Sequence, residues 1–103
     1  MNDPIETGAG AAEHEAPRQT VRIVNRLGLH ARAAARFVQV ASGFEAEVTV
    51  SRQDTHVSGL SILGLMMLAA GPGHEIAIET RGPERLAAIE ALVALVERGF
   101  DEG

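Results

Sequence analysis

Cysteine is absent from this chain of 103 residues, and aromatic side chains are scarce, with three Phe and neither Trp nor Tyr. The lack of cysteine excludes a disulfide framework, thiol catalysis, and zinc or iron–sulfur sites with cysteine ligands. The lack of aromatic residues means that the hydrophobic core must be aliphatic. His14, His56 and His74 have no second ligand at the spacing of a metal site. We therefore predict neither a metal nor a cofactor.

Targeting signals and long hydrophobic runs are missing as well. The longest near-continuous apolar run, at residues 60–70, is well short of the ~20 residues that span a bilayer. Residues 1–17 contain four acidic and no basic side chains, which is unlike a secretory or mitochondrial signal. We expect a cytoplasmic protein without membrane insertion.

Negative charge is concentrated near the two ends of the chain. The formal net charge is −5, and Asp101, Glu102 and the acids of the first seventeen residues supply the excess. Between Pro17 and Gly99, nine Arg face eight acidic residues, so this part is close to neutral. A nucleic-acid-binding domain would usually be net basic and carry aromatic stacking residues. We therefore expect no nucleic-acid partner.

The apolar pattern predicts seven elements in one domain. Residues 1–17 lack an apolar period and should form a disordered tail, which leaves 18–103 as the folded domain. Alternating apolar positions predict strands, and apolar positions three and four apart predict helices. The strands are expected at 19–25, 45–51, 55–58 and 75–80, and the helices at 31–42, 62–70 and 84–98. The inner stripe of the last helix should consist of Leu86, Ile89, Leu92, Val93 and Val96. One helical layer on one antiparallel sheet is the economical packing for this order, an α+β fold.

The segment Gly28-Leu29-His30-Ala31-Arg32 places a histidine at the start of the first helix. An imidazole is partly neutral at cellular pH, and its free ring nitrogen can attack an activated phosphoryl group. The unpaired N–H groups at a helix start favour the phosphate that results. Arg32 would add a charge-assisted contact, and Gly28 would allow a tight turn. By spacing alone, a histidine that only borders the helix is the commoner case, since His-x-Arg is a very common tripeptide.

The second predicted helix is apolar on nearly all sides. Ser61 is a good N-cap residue for it. A helix that lies on a sheet buries only one stripe, so some of its apolar side chains must remain outside and form an exposed patch, which normally marks an interaction surface. Methionine suits a surface that fits several partners. The candidates for this patch are Ile62, Leu63, Met66 and Met67.

Two segments together resemble one family. The run from Gly28 to Ala34 resembles the active-site signature of HPr, the histidine-containing phosphocarrier of the bacterial phosphotransferase system. The run from Ser61 to Leu68 resembles the regulatory-serine segment of the same family. The resemblance covers residues 19–100 and implies an open-faced two-layer sandwich, β-α-β-β-α-β-α, with a four-stranded antiparallel sheet of order 1-4-2-3 under three helices.

The resemblance also implies a function. His30 would accept a phosphoryl group on Nδ1 from phosphorylated enzyme I and pass it to an enzyme II-type A domain. Arg32 would stabilise the phosphate, Gly28 and Ala31 would form the loop and helix start that cradle it, and the apolar patch would dock partners. Ser61 would be the target of an HPr kinase/phosphorylase. Such a protein is a monomeric stoichiometric carrier rather than an enzyme.

Ala33 stands where the family commonly has proline. Alanine is an excellent helix former and removes no N–H donor, so the carrier chemistry should be retained. Relatives with alanine here resemble proteins of a regulatory, nitrogen-related branch. A second hypothesis is therefore a regulatory binding module whose phosphorylation state controls a partner kinase or transcription factor. A third is an unrelated small α+β ligand-binding domain.

Overall fold

The computed structural model describes residues 16–102. Four strands and three α-helices follow one another in the predicted order: β1 Arg18–Arg22, α1 Ala31–Ala41, β2 Glu47–Arg52, β3 Thr55–Ser58, α2 Ile62–Met67, β4 Glu75–Arg81 and α3 Arg85–Glu97. A short 3-10 turn, Gly99–Asp101, follows α3 and was not predicted. The expected tail at 1–17 lies almost wholly outside the described residues.

The four strands form one antiparallel sheet in the order β1-β4-β2-β3, which confirms the predicted topology. β4 lies inside the sheet and pairs with both β1 and β2. β1 ends at Arg22 rather than at residue 25, because Arg22 pairs with Glu75, where β4 begins. The chain is thus released from the sheet just before the segment that leads to His30.

The core lies between one face of the sheet and the helices. As expected, most of its side chains are aliphatic, although Phe37 and Phe100 are also buried. α1 buries Ala33, Ala34, Phe37 and Ala41. Ala33 is 1% exposed, so this position serves packing.

Two predictions for the helices were wrong in detail. α2 ends at Met67 instead of residue 70, because Ala69 takes a left-handed conformation (φ 52°) and turns the chain away. Leu86 was placed on the inner stripe of α3 but is 66% exposed. At about 100° per residue it lies roughly 120° around the helix from Leu92, which is fully buried. Ala88 and Leu95 are buried instead.

Within residues 16–102, none of the helices has the length and apolar character needed to cross a membrane.

Candidate functional site

A tight turn over 25–28 presents His30. The Gly28 N–H donates to the Asn25 carbonyl (3.2 Å), and the Asn25 side-chain Nδ2 donates to the Gly28 carbonyl (2.9 Å). Gly28 has φ 63°, a left-handed conformation that glycine adopts without steric cost. The predicted role of Gly28 as a turn residue therefore has a direct geometric basis.

The same turn is fixed to the segment that follows α2. The Leu29 N–H donates to the Ala70 carbonyl (2.9 Å), and both residues are buried. The left-handed Ala69 brings this carbonyl into place. The end of α2 and the approach to His30 are therefore one connected structure.

His30 is the N-cap residue of α1, with extended backbone (φ −73°, ψ 176°). Its carbonyl accepts the Ala34 N–H (2.9 Å), which starts the helical hydrogen bonds. Its side chain makes no capping hydrogen bond, so the ring is available for other contacts at a helix end with unpaired N–H groups and positive partial charge. Ala31, the first helical residue, is exposed beside it.

The His30 ring is held by a carboxylate. Nε2 lies 2.5 Å from Oε2 of Glu102, and the two side chains are 22% and 24% exposed. An ionised carboxylate only accepts hydrogen bonds, so Nε2 carries the proton and donates it to Glu102. In the neutral ring Nδ1 then carries the lone pair, and no hydrogen bond occupies it within residues 16–102.

Glu102 is kept ionised by its neighbours. Its Oε1 accepts a hydrogen bond from Asn25 Nδ2 (3.0 Å). This bond lowers the pKa of the Glu102 carboxyl below its ordinary 4.5, and His30 and Arg32 lower it further, against the opposing effect of partial burial. The carboxylate therefore remains a hydrogen-bond acceptor at neutral pH.

Arg32 extends into solvent beside this pair. Its side chain is 79% exposed, and Nε lies 3.9 Å from Oε2 of Glu102. A contact this loose and exposed is weak. The guanidinium is thus free to move toward an anion on the ring.

A second acidic residue anchors the chain next to Glu102. Asp101 lies between two guanidinium groups: Arg36 Nη2 at 3.1 Å from Oδ2 and Arg98 Nε at 2.5 Å from Oδ1. The hydrogen bonds from Arg98 and then Arg36 lower the pKa of Asp101 below its ordinary 3.8. Asp101 and Glu102, which the sequence analysis identified only as negative charge near the end of the chain, thus belong to the site.

The four apolar side chains of the predicted patch are all on the surface. Ile62, Leu63, Met66 and Met67 are 42%, 70%, 39% and 70% exposed, whereas Leu65 is fully buried. A shallow depression lined by His30, Leu27 and Met66 connects the patch to the ring. Leu27 is 60% exposed and extends the apolar surface. The patch and the histidine therefore face solvent side by side.

Ser61 caps α2 as predicted by its residue type. Its Oγ accepts the Gly64 N–H (2.9 Å), and the residue is partly exposed. Gly64 leaves room for this contact, because a Cβ there would lie 3.0 Å from the Oγ. The hydroxyl thus sits at the edge of the apolar patch.

The remaining histidines lie apart from this arrangement. His74 Nδ1 accepts the Gly71 N–H (2.9 Å), and His56 is exposed on β3. His14 lies outside the described residues. The part of the chain that the structure describes holds no group of three side chains suited to a metal ion.

Sequence reasoning missed Asn25, Asp101 and Glu102. Their partners are distant along the chain: Glu102 is 72 positions from His30 and 77 from Asn25. Periodicity reports only local structure. The one available signal was the pair of acids, Asp101 and Glu102, that follows the last predicted helix.

Comparison with known proteins places this fold and site in a family. The family model described as PTS HPr component phosphorylation site matches residues 17–98. Phosphocarrier protein HPr of Neisseria meningitidis serogroup A is 49% identical over 86 residues, 84% of this chain and 97% of the relative. Phosphocarrier protein NPr of Escherichia coli K12 is 40% identical over 86 residues, 82% and 96% of the two chains. Among solved structures, HPr-C-His from Thermoanaerobacter tengcongensis has a TM-score of 0.80 at 39% identity, covering 84% of this chain and 98% of its own.

These similarities define a phosphocarrier protein of the phosphotransferase system. The chain belongs to the HPr family. Asp101 and Glu102 lie beyond the residues that the family model matches.

Proposed function

We propose that this protein accepts a phosphoryl group on Nδ1 of His30 from phosphorylated enzyme I and passes it to an enzyme II-type A domain. The observation that carries this proposal is the hydrogen bond between Nε2 of His30 and Glu102. With Nε2 as the donor, the neutral ring has its lone pair on Nδ1 at the N-terminus of α1, which supports Nδ1 as the acceptor atom. The protein acts as a stoichiometric carrier in cytoplasm.

The transfer conserves atoms and total charge. The Nδ1 lone pair of His30 attacks phosphorus, the bond from phosphorus to the donor's leaving atom breaks, and its electron pair returns to the donor. Nε2 keeps its proton, so the phosphorylated ring becomes cationic beside the Glu102 carboxylate. Transfer to the acceptor reverses the step, and the electron pair of the N–P bond returns to Nδ1.

The surroundings of the ring suit a bound phosphate. The free N–H groups at the start of α1 and the positive end of its dipole attract an anion. Arg32 is exposed and only loosely held by Glu102, and a guanidinium forms charge-assisted hydrogen bonds with phosphate oxygens. Gly28 fixes the turn, and Ala31 leaves the helix start open.

The apolar patch of Ile62, Leu63, Met66 and Met67 serves as the docking surface for enzyme I and the A domain. Its exposure and its continuity with His30 support this role. A partner that covers the patch would bring its own reactive group to the ring.

Ser61 is the proposed regulatory site, a substrate for HPr kinase/phosphorylase. A phosphate there would add about −1.5 to −2 charge at the edge of the patch. Because Ser61 also lies at the start of α2, the added charge is compatible with the fold. It would oppose docking by placing a solvated anion beside an apolar contact.

The test is phosphorylation by phosphoenolpyruvate and enzyme I. We expect one acid-labile phosphate on the wild type, none on His30→Ala, and an unchanged yield on His56→Ala, which removes an exposed histidine from β3. Addition of an enzyme II A domain should then discharge the labelled carrier. Undiminished label on His30→Ala would refute the assignment, and a stable label in the presence of A domains would favour the regulatory binding module instead.

A further inference from the structure

A groove runs between the loop at 24–27 and the turn that follows α3. Val24 and Leu27 line it and are 55% and 60% exposed. Leu27 also lines the depression at His30, so the groove adjoins the reactive ring. Four arginines complete its lining: Arg26, Arg32, Arg36 and Arg98. The groove therefore offers apolar contact and positive charge side by side.

The acids of the groove do not balance its arginines. Three acidic residues line it against the four arginines, namely Glu97, Asp101 and Glu102. Asp101 serves two guanidinium groups at once, those of Arg36 and Arg98. One positive charge is therefore in excess, which favours an anionic occupant.

The available positive charge lies on Arg26 and Arg32. Arg26 is exposed, and within residues 16–102 no hydrogen bond or ion pair engages its guanidinium. Arg32 is 79% exposed, and its Nε lies 3.9 Å from Glu102. Exposed guanidinium groups without a fixed partner form charge-assisted pairs with carboxylates. A segment with carboxylates on both sides of an aliphatic side chain would match the groove in charge and in polarity.

The first fifteen residues of this chain contain such a segment. They carry four acids and neither Lys nor Arg, and Ile5 is their one branched aliphatic side chain. Ile5 stands between Asp3 and Glu6. The family model matches from residue 17 onward, so these residues lie outside it.

The segment is long enough to reach the groove. β1 leads from the start of the described chain toward Val24, eight positions after Ala16. At about 3.3–3.6 Å per extended residue this path covers at most about 29 Å, whereas the chain from Ala16 back to Ile5 reaches about 36 Å or more. Among the described strands β1 lies at an edge of the sheet, so the segment can pass along it without crossing another strand.

From these observations we propose that residues 1–15 dock in this groove and compete there with the partners of His30. The two acids around Ile5 pair with Arg26 and Arg32. Ile5 itself packs on the exposed aliphatic side chains of the groove. The competition rests on the proposed function of His30, whereas the docking does not.

Docking of this kind weakens partner binding without preventing it. Exposed ion pairs contribute little each and are screened by salt, so the segment leaves the groove readily. A partner finds the groove free for only a fraction of the time, and its apparent affinity falls by that fraction. The effect should be largest at low ionic strength.

A spin label near the start of the full-length chain tests the docking. The chain contains no cysteine, so Asn2→Cys provides a unique thiol for a nitroxide, whose unpaired electron broadens the NMR signals of nearby amides. We expect broadening at Val24, Arg26 and Leu27. The amide of His56 should keep its signal, because β3 forms the opposite edge of the sheet. Equal broadening at His56 and in the groove would overturn the proposal.

Charge exchange tests the specificity of the contact. Arg26→Glu in the labelled chain should remove the broadening, and addition of Glu6→Arg should restore it. Arg81→Glu is the matched control: Arg81 is also exposed, at 61%, but ends β4 beyond the start of β1. It should leave the broadening unchanged, and circular dichroism checks the fold of each variant. Broadening that survives Arg26→Glu would overturn the proposal.

The competition is measured by phosphorylation with phosphoenolpyruvate and enzyme I at low salt. Asp3→Asn with Glu6→Gln should lower the KM for this carrier about twofold, as for a site that is covered about half of the time. Glu13→Gln with Glu15→Gln removes the same charge outside the contact and should change the KM little. An unchanged KM in the first variant, or an equal fall in both, would overturn the competition.

The two proposals fail in different ways. If the groove is broadened as expected but His30→Ala is still labelled by enzyme I, the proposed function fails and the docking stands. If labelling depends on His30 but the groove signals are not broadened, the docking fails and the proposed function stands.

Discussion

Gly28 packs so closely against Ala70 that a Cβ at position 28 would lie 2.3 Å from the Ala70 carbonyl oxygen and 2.8 Å from the Cα of Gly71. The neighbouring Leu29 N–H donates to that same carbonyl (2.9 Å). Two segments far apart in sequence therefore meet backbone to backbone directly beside His30. Any side chain at position 28 must push them apart.

Gly28→Ala should therefore destabilise the protein by about 2 kcal/mol or more, since the strain of a left-handed non-glycine residue adds to the displacement of backbone atoms. Urea unfolding measures the loss. Gly73→Ala is the matched control, because Gly73 also has a left-handed φ (88°) but no atom lies within 4 Å of its added Cβ. It should cost roughly 1 kcal/mol. Equal losses in the two variants would show that the close approach is unimportant.

Arg32→Ala should slow phosphorylation of His30 with little change in stability. The side chain is 79% exposed, so its removal should alter the free energy of unfolding by no more than about 0.5 kcal/mol. Enzyme I assays and thermal melts on the same samples make the comparison. Arg32→Lys should recover part of the phosphorylation rate, since lysine keeps the positive charge but lacks the planar guanidinium group that can bind two phosphate oxygens at once. A large drop in melting temperature with an unchanged rate would make the arginine structural.

Leu63→Ala should weaken binding to enzyme I while the fold is retained, because Leu63 is 70% exposed on the patch beside the site. A well-placed apolar side chain in an interface contributes on the order of 1 kcal/mol or more, about a fivefold change in Kd. Leu86→Ala is the control: Leu86 is similarly exposed, at 66%, but lies in the first turn of α3, away from the turn at 99–101 where that helix meets the site. Calorimetry measures the affinity of both variants for enzyme I. An equal loss of affinity in the two would count against a localised docking surface.

Ser61→Asp should also reduce affinity for enzyme I, for an electrostatic reason. An acidic side chain at this N-cap can still accept the Gly64 N–H, so the melting temperature should stay close to that of the wild type. Ser61→Ala removes the cap without adding charge and should cost about 1 kcal/mol of stability with normal docking. Unchanged affinity of Ser61→Asp would contradict the proposed regulation.

The protein should lose stability in acid partly through Asp101 and Glu102. Both pKa values are lowered in the folded state, from 3.8 and 4.5. In the unfolded chain these groups bind protons more readily than in the folded protein. Their ionised forms therefore stabilise the folded state above about pH 5, and this stabilisation is lost as the pH falls through the folded-state pKa values. Glu102→Gln should therefore flatten part of the decline in urea midpoint between pH 5 and pH 3. A decline as steep as that of the wild type would exclude Glu102 as a contributor.

The limits of sequence prediction in this chain follow from distance along the backbone. Alternation and helical period depend on near neighbours, and they located every strand and helix and placed His30 at a helix start. They failed where the partner is remote or the local signal is ambiguous. Leu86 and Leu92 are equally apolar, so only packing against the sheet distinguishes them, and Ala69 has no residue-level signal for its left-handed turn.

The site shows the same limit more sharply. His30 and Arg32 stand two positions apart and form a recognisable motif, whereas Asn25 and Glu102 meet across 77 positions. From the sequence alone, Glu102 was recognised only as one of the acidic residues that supply the excess negative charge near the chain ends. Its contact with the ring arises because the buried Phe100 and the ion pairs of Asp101 fold the chain back after α3.

The left-handed run from Gly99 to Asp101 bears on how this protein should be handled in the laboratory. A purification tag or fluorescent label added after Gly103 would begin two residues beyond Glu102, whose carboxylate contacts His30. Its bulk and charge would then compete for the space that partners use. A tag before Ala16 would join the chain at the start of β1, whose other end leads toward the reactive ring, so N-terminal fusions are the ones suited to measuring phosphoryl transfer.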